Sequence, residues 1–173
     1  MTTGLTYIKP NSAYQPKLVP HFQETAMYQR ILIATDGTPL SDKAISSGLE
    51  LAALTGAQVV ALKVVPRYPR AYFEGGVQLD IADVKRIEKQ WADAARTKVD
   101  AVKARGMDHG VSVKPVVVKS DLIAEAVIAA AKKHQCDLIV MASHGRKGLQ
   151  RLLLGSETQH VLTHSHIPVL VLR

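Results

Sequence analysis

Between Met141 and Ser156 the chain reads MASHGRKGLQRLLLGS, a stretch rich in groups that can hold an anion. Gly145 and Gly155 have no Cβ, so a ligand can come close to the backbone there. Ser156 and Gln159 form an S-x-x-Q capping box, which predicts a helix starting at 155–156. The free amides and the positive dipole end of such a helix point at one spot, an arrangement that binds phosphate. Ser156 Oγ can cap the helix or meet a phosphate oxygen, and Arg146 and Lys147 add charge. Two glycines and a serine on their own also describe an ordinary βα connection. The P-loop pattern G-x-x-x-x-G-K-[ST] is absent, and TDGTP stands where a dinucleotide fingerprint would need G-x-G-x-x-G.

Two more positions offer chemistry. Asp36 lies in a T-D-G sequence at the end of an apolar run. Its carboxylate can accept from ribose hydroxyls, hold a metal, or serve the turn. At Val64, the end of a second run, an exposed strand end could pair its N–H and C=O with an adenine edge. His160 and His164 are spaced i,i+4 as metal ligands can be, but no Cys or matching carboxylate stands nearby in sequence, so they read as surface histidines on a helix. His144 lies in the loop, where it could touch a phosphate or act as an acid–base group but reads first as a residue with a structural hydrogen bond, and Cys136 reads as an inert, partly buried thiol. No catalytic triad and no metal cluster is assigned.

The elements that must position these groups follow from periodicity. Residues 30–35 (RILIAT) are continuously apolar, as a strand buried on both faces is. Thr38 and Pro39 give an N-cap and a first-turn proline to a helix over 40–54, closed by Gly56. Strand 58–65 and a loop over 66–79 follow. A helix over 80–104 carries a stripe of Ile81, Val84, Ile87, Trp91, Ala94, Ala95, Val99 and Val102, predicted to be buried. Strand 111–118 contains Pro115, which predicts an edge or a bulge. Ser120 or Asp121 caps a helix to 134. Strand 137–141, the loop over 142–155, helix 156–164 and strand 167–172 complete the pattern. Such alternation predicts an α/β fold: a doubly wound, open, parallel five-stranded sheet with helices on both faces. Ligands of such sheets bind outside the carboxyl ends of the strands. Residues 1–27 carry three prolines and no apolar period, so they read as an extended or disordered arm before a domain over 28–173.

Composition bounds the rest. The 173 residues are 47% hydrophobic and 21% charged, which is ordinary for a globular domain. A single cysteine allows no internal disulfide. The net charge is +7, but Lys and Arg are scattered and aromatic residues few, so nucleic acid is not the expected partner. No run nears the ~20 apolar residues of a membrane span. The amino terminus has no apolar signal core, and the cytoplasm is the expected location.

Together these features resemble the universal stress protein family, in its nucleotide-binding branch. The resemblance spans 28–173 and is carried by ILIATDGTPLSDKA, DLIVMASHGRKGLQRLLLGSETQHVL and the closing IPVLVL. That family's ATP signature is G-x2-G-x9-G-[ST]. Gly145, Gly155 and Ser156 match its last elements, and Ala142 stands at its first glycine, where a methyl is tolerable if φ is negative. The resemblance implies strand order 3-2-1-4-5 and ATP with Mg²⁺ as ligand. It implies contacts from Thr35, Asp36, Val64, Met141, Ala142, Gly145, Gly155, Ser156 and Glu157, with Glu157 contributing only its N–H. It also implies slow hydrolysis or autophosphorylation at most, and a homodimer through the last strand. The alternative within the fold is a dimeric interaction module that binds no nucleotide. A nucleotide-transfer enzyme is disfavoured, because H-x-G-H and S-G-G-x-D-S are missing.

Overall fold

A computed structural model describes residues 27–68, 81–144 and 154–173. The arm at 1–26, the loop residues 69–80 and residues 145–153, with Gly145, Arg146 and Lys147, lie outside the described residues. The elements are β1 (Arg30–Ala34), α1 (Pro39–Thr55), β2 (Gln58–Val65), α2 (Ile81–Asp108), β3 (Val113–Lys119), α3 (Ile123–Lys133), β4 (Leu138–Ala142), α4 (Ser156–His164) and β5 (Val169–Leu172). All described strand pairs are parallel, in the expected order β3-β2-β1-β4-β5.

Alternate residues of the central strands build two cores. Ile31, Ile33, Val59, Ala61 and Val140 pack with Ala44, Ile45 and Leu49 of α1 and Val99 and Val102 of α2. Leu32, Val60, Leu62, Ile139 and Met141 pack with Ala124, Val127 and Ala131 of α3 and Val161 of α4. This two-sided burial is why β1, β2 and β4 read as unbroken apolar runs. Among the described residues, no helix is long and apolar enough to cross a membrane.

Local signals act as expected at α1: Thr38 Oγ1 accepts from Ser41 N at 3.2 Å, Pro39 opens the helix, and Gly56 ends it at φ +69°. β3 is an edge strand. Val59 N donates to Ser112 O and Ser120 N to Val65 O, so even-numbered residues of β3 face β2. Pro115 therefore turns its missing donor to the outer edge, as the sequence suggested.

Three expectations need correction. First, α2 does not stop near Ala104; it runs through Gly106 to Asp108, and Gly110 at φ +67° follows it. Gly106 is there for close packing, since a Cβ would lie 2.2 Å from Val113 Cγ2. Second, only the carboxyl half of the α2 stripe is buried. Ala95, Val99 and Val102 are inside, Val84, Ile87 and Trp91 are half-buried, Ala94 is exposed, and Ile81 is 72% exposed. Length explains this: 28 residues of helix span about 42 Å, whereas the eight residues of β2 span about 26 Å. Trp91 instead stacks on Tyr68, ring centres 6.0 Å apart. Third, neither Ser120 nor Asp121 caps α3. Ser120 Oγ accepts from Leu122 N in a local turn, and Asp121 accepts from Arg67 N.

Candidate functional site

The order β3-β2-β1-β4-β5 reverses direction between β1 and β4, so the crevice expected to take a ligand opens at their carboxyl ends. The β1–α1 turn forms one wall. Thr35 is buried; its Oγ1 shares a hydrogen bond with Ser41 Oγ at 3.0 Å and accepts from Gly37 N at 3.1 Å. Its hydroxyl therefore builds the turn. Gly37 sits at φ +83°, which a side chain would resist. Asp36 Oδ1 accepts from Thr38 N at 3.0 Å and Thr38 Oγ1 at 2.7 Å. Burial pushes the Asp36 carboxyl upward, but the bonds from Thr38 and Ser41 and the nearby Lys63 charge outweigh it and hold its pKa below the ordinary value. The result is an ionised, fixed carboxylate at the end of β1.

At β2 the backbone is the feature. The β1–β2 register ends at Ala34↔Leu62, with Thr35 N donating to Leu62 O beyond it. Alternate residues of a parallel strand address the same neighbour, so Val64 points its N–H and C=O to the β1 side as Leu62 does, past the last register pair of β1. Val65 O, facing the other way, accepts from Ser120 N. The strand end read from sequence is thus turned toward the crevice.

The third wall comes from β4 and α4. Met141 and Ala142 are the last residues of β4, both buried, and Ala142 pairs with Leu172 in extended backbone. Its φ is not positive, which meets the condition for tolerating alanine at the first motif glycine. Ser143 is fully buried; its N donates to Leu172 O, and its O accepts from Gly155 N at 2.9 Å. That bond ties the end of β4 to the residue before α4. Thr158 Oγ1 donates to Ala142 O at 3.0 Å, fastening the first turn of α4 to the same strand end. Ser143 Oγ also shares a 2.8 Å hydrogen bond with His144 Nδ1, the structural role expected of that histidine.

The start of α4 differs from the S-x-x-Q reading. Gly155 is the N-cap, at φ −62° and ψ 149°, with no side-chain cap, and Ser156 is the first helical residue. The first intrahelical bond is Gln159 N to Gly155 O, so the amides of Ser156, Glu157 and Thr158 have no partner within the helix. Ser156 is exposed and its hydroxyl is not used as a cap. The Glu157 carboxylate has a role that the sequence did not suggest. Its Oε2 accepts from Ala124 N in the first turn of α3 at 2.9 Å, supplying the cap that the α3 sequence lacks and turning the carboxylate away from its own helix terminus.

Sequence reasoning missed Lys63, Ser143 and Thr158. Lys63 is the one charge inside QVVALKVV, 8% exposed, and its field reaches Asp36. That interruption was a usable signal, whereas nothing local marked Ser143 or Thr158. His160 and His164 stack with ring centres 4.1 Å apart, and His160 Nε2 lies 3.4 Å from Glu125 Oε1, a carboxylate that sequence proximity could not reveal. Cys136 is buried, and burial pushes its thiol up to about 11.

Comparison with known proteins agrees with the fold. The profile of the Universal stress protein family matches residues 27–173. Universal stress protein MJ0531 of Methanocaldococcus jannaschii is 32% identical over 149 residues, 85% of this chain and 83% of the relative. The solved structure of MJ0577, a protein of the same organism, is 27% identical, covers 84% of this chain and 96% of its own, and superposes with a TM-score of 0.71. A universal stress protein solved in complex with cAMP is 23% identical, covers 84% of this chain and 97% of its own, and shares the fold at a TM-score of 0.61. With a family profile that spans nearly all of the described fold, this chain belongs to the universal stress protein family.

Proposed function

We propose that this chain is an adenine-nucleotide-binding member of its family, taking ATP with Mg²⁺ over the carboxyl ends of β1, β2 and β4. We infer that it works in the cytoplasm as a stress-response regulatory homodimer, with slow hydrolysis or autophosphorylation at most. One observation carries the reading: the α4 terminus, without a side-chain cap, sits on a loop base pinned by Gly155 N to Ser143 O, beside the strand-order reversal. Backbone amides and a helix dipole aimed at one point suit phosphate oxygens. Gly145, Gly155, Ser156 and Glu157 would meet the phosphates through N–H groups or a hydroxyl, and Ala142 and Asp36 would face the ribose side. Thr35 and Met141 would line the crevice, and Val64 would read adenine through its backbone. Bound Mg²⁺ would draw its ligands mainly from phosphate oxygens and water, with Asp36 the carboxylate at that end of β1. That a protein with the same fold was solved in complex with cAMP supports an adenine nucleotide as the ligand class.

Calorimetric titration with Mg²⁺-ATP, and with AMP and GTP in parallel, tests the proposal. The expected result is saturable binding of ATP, weaker for GTP, and reduced about tenfold by Ser156→Ala, the cost of one hydrogen bond to a charged group. A second reading, an interaction module without nucleotide, rests on Ala142 at the first motif glycine. It is favoured if the folded wild type fails to bind and Ala142→Gly binds. Failure of both proteins overturns the nucleotide proposal.

A further inference from the structure

A cavity of about 330 Å³ opens at the other end of the sheet, where the strands begin. Arg30 and Gln58 are the first residues of β1 and β2, Lys114 lies near the start of β3, and Lys133 and His134 close α3. The five residues of β1 separate this end from the nucleotide crevice by about 16 Å. Three cationic side chains, Arg30, Lys114 and Lys133, line the cavity with no carboxylate among the lining residues. Gln58 and Ser112 add neutral polar groups.

Arg30 is held in place by three hydrogen bonds. Its Nη1 donates to His134 O at 2.8 Å, while Nε and Nη2 donate to Gln58 Oε1 at 3.3 and 3.1 Å. The bond to His134 O also satisfies a carbonyl at the negative end of α3, which would otherwise repel an anion. Asp137, the nearest acidic residue in sequence, spends both oxygens on the amides of Gln29 and Arg30 at 2.7 and 3.0 Å. The cavity therefore combines concentrated positive charge, a fixed guanidinium and a volume at the lower end of the about 300–1,000 Å³ typical of ligand sites.

We propose that this cavity is a second binding site, for a small multiply charged anion of the phosphate type, held by Arg30, Lys114 and Lys133. The group pairs with the planar fork of Arg30 and the two ammonium groups, as phosphates do in water-exposed basic clefts. His134 reports on the same field. Burial, then Lys114, Lys133 and Arg30, hold its pKa below the ordinary histidine value. An anion seated among those cations removes part of their repulsion and raises the His134 titration midpoint.

Inorganic pyrophosphate, titrated at low salt into the full-length protein, is the probe, read by calorimetry and by the NMR titration of the His134 ring. The expected result is saturable binding with an upward shift of the His134 midpoint. Lys114→Gln/Lys133→Gln should weaken it about tenfold or more, since both lysines are exposed and lose only charge-assisted bonds. Ser156→Ala, at the opposite end of the sheet, should leave the His134 shift unchanged, which separates this site from any pyrophosphate bound in the nucleotide crevice. A His134 shift that survives the double lysine variant, or that is lost in Ser156→Ala, overturns the proposal. So does the absence of saturable binding. Capture by anionic phospholipid vesicles without pyrophosphate binding overturns the small-anion assignment in favour of a lipid headgroup.

Discussion

Asp36 organises a turn at the edge of the candidate site. Its Oδ1 organises the β1–α1 turn through Thr38, and the same bonds keep it ionised. A carboxyl whose pKa is lowered by folding stabilises the protein above its unfolded value, here near 3.8, and that contribution is lost as pH falls through the lower folded value. Wild type should therefore lose more stability than Asp36→Asn between neutral pH and about pH 3, because the amide cannot titrate. Urea unfolding of both proteins at the two pH values checks this, and parallel losses would mean that Asp36 is not the coupled group. Glu157 is the opposite case. A residue expected to offer only its amide uses its carboxylate to cap α3.

At the scale of elements, the close contact between α2 and β3 is the most exacting joint described. Gly106 lies in a helix, where alanine would ordinarily gain about 1 kcal/mol. Here the new Cβ would meet Val113 Cγ2 at 2.2 Å and Val111 O at 3.1 Å. Gly106→Ala should destabilise the protein by about 1–3 kcal/mol, as overpacking does. Gly48→Ala makes a useful contrast, because its Cβ would meet Ile33 Cδ1 at 2.6 Å, the far end of a side chain that can rotate away. Thermal or chemical unfolding should rank Gly106→Ala below Gly48→Ala; equal stability would show that β3 yields easily. Adding Val113→Ala to Gly106→Ala should recover part of the loss.

For the whole molecule, the sheet has two different ends and one unpaired edge that matters. The carboxyl ends carry the crevice proposed for a nucleotide and the amino ends the basic cavity. β5 closes the described sheet on one side. Ile139 N donates to Pro168 O and Ser143 N to Leu172 O, so even-numbered residues of β5 address β4. Val169 and Val171 therefore turn their backbone groups outward, and Leu170 is 39% exposed. An apolar strand with an open edge invites pairing with a second copy. Val171→Pro removes one outward donor while sparing the β4 ladder. Sedimentation should find a wild-type dimer and a Val171→Pro monomer; a variant that stays dimeric would move the interface away from this edge.

Much of this was legible because the signals are local. Apolar runs, caps and the Gly155–Ser156 pair each act within a few residues, so the elements, the turn at Asp36 and the helix start at 155–156 could be read from the chain alone, whereas the strand order came with the family resemblance. The burial of α2 could not, because a periodic stripe states which face is apolar but not how far the sheet extends beneath it. Nor could the role of Gly106, whose close contact appears only when β3 is brought against it. The α3 cap came from Glu157, 33 residues away, and the loop base from Ser143 and Thr158 meeting across β4 and α4. The cluster of Arg30, Lys114 and Lys133 came from three separate elements. Sequence by itself determined what each segment would become, since propensity and periodicity are short-range. Tertiary structure alone decided which polar groups would meet, since burial forces distant donors, acceptors and charges to find partners that no spacing along the chain encodes.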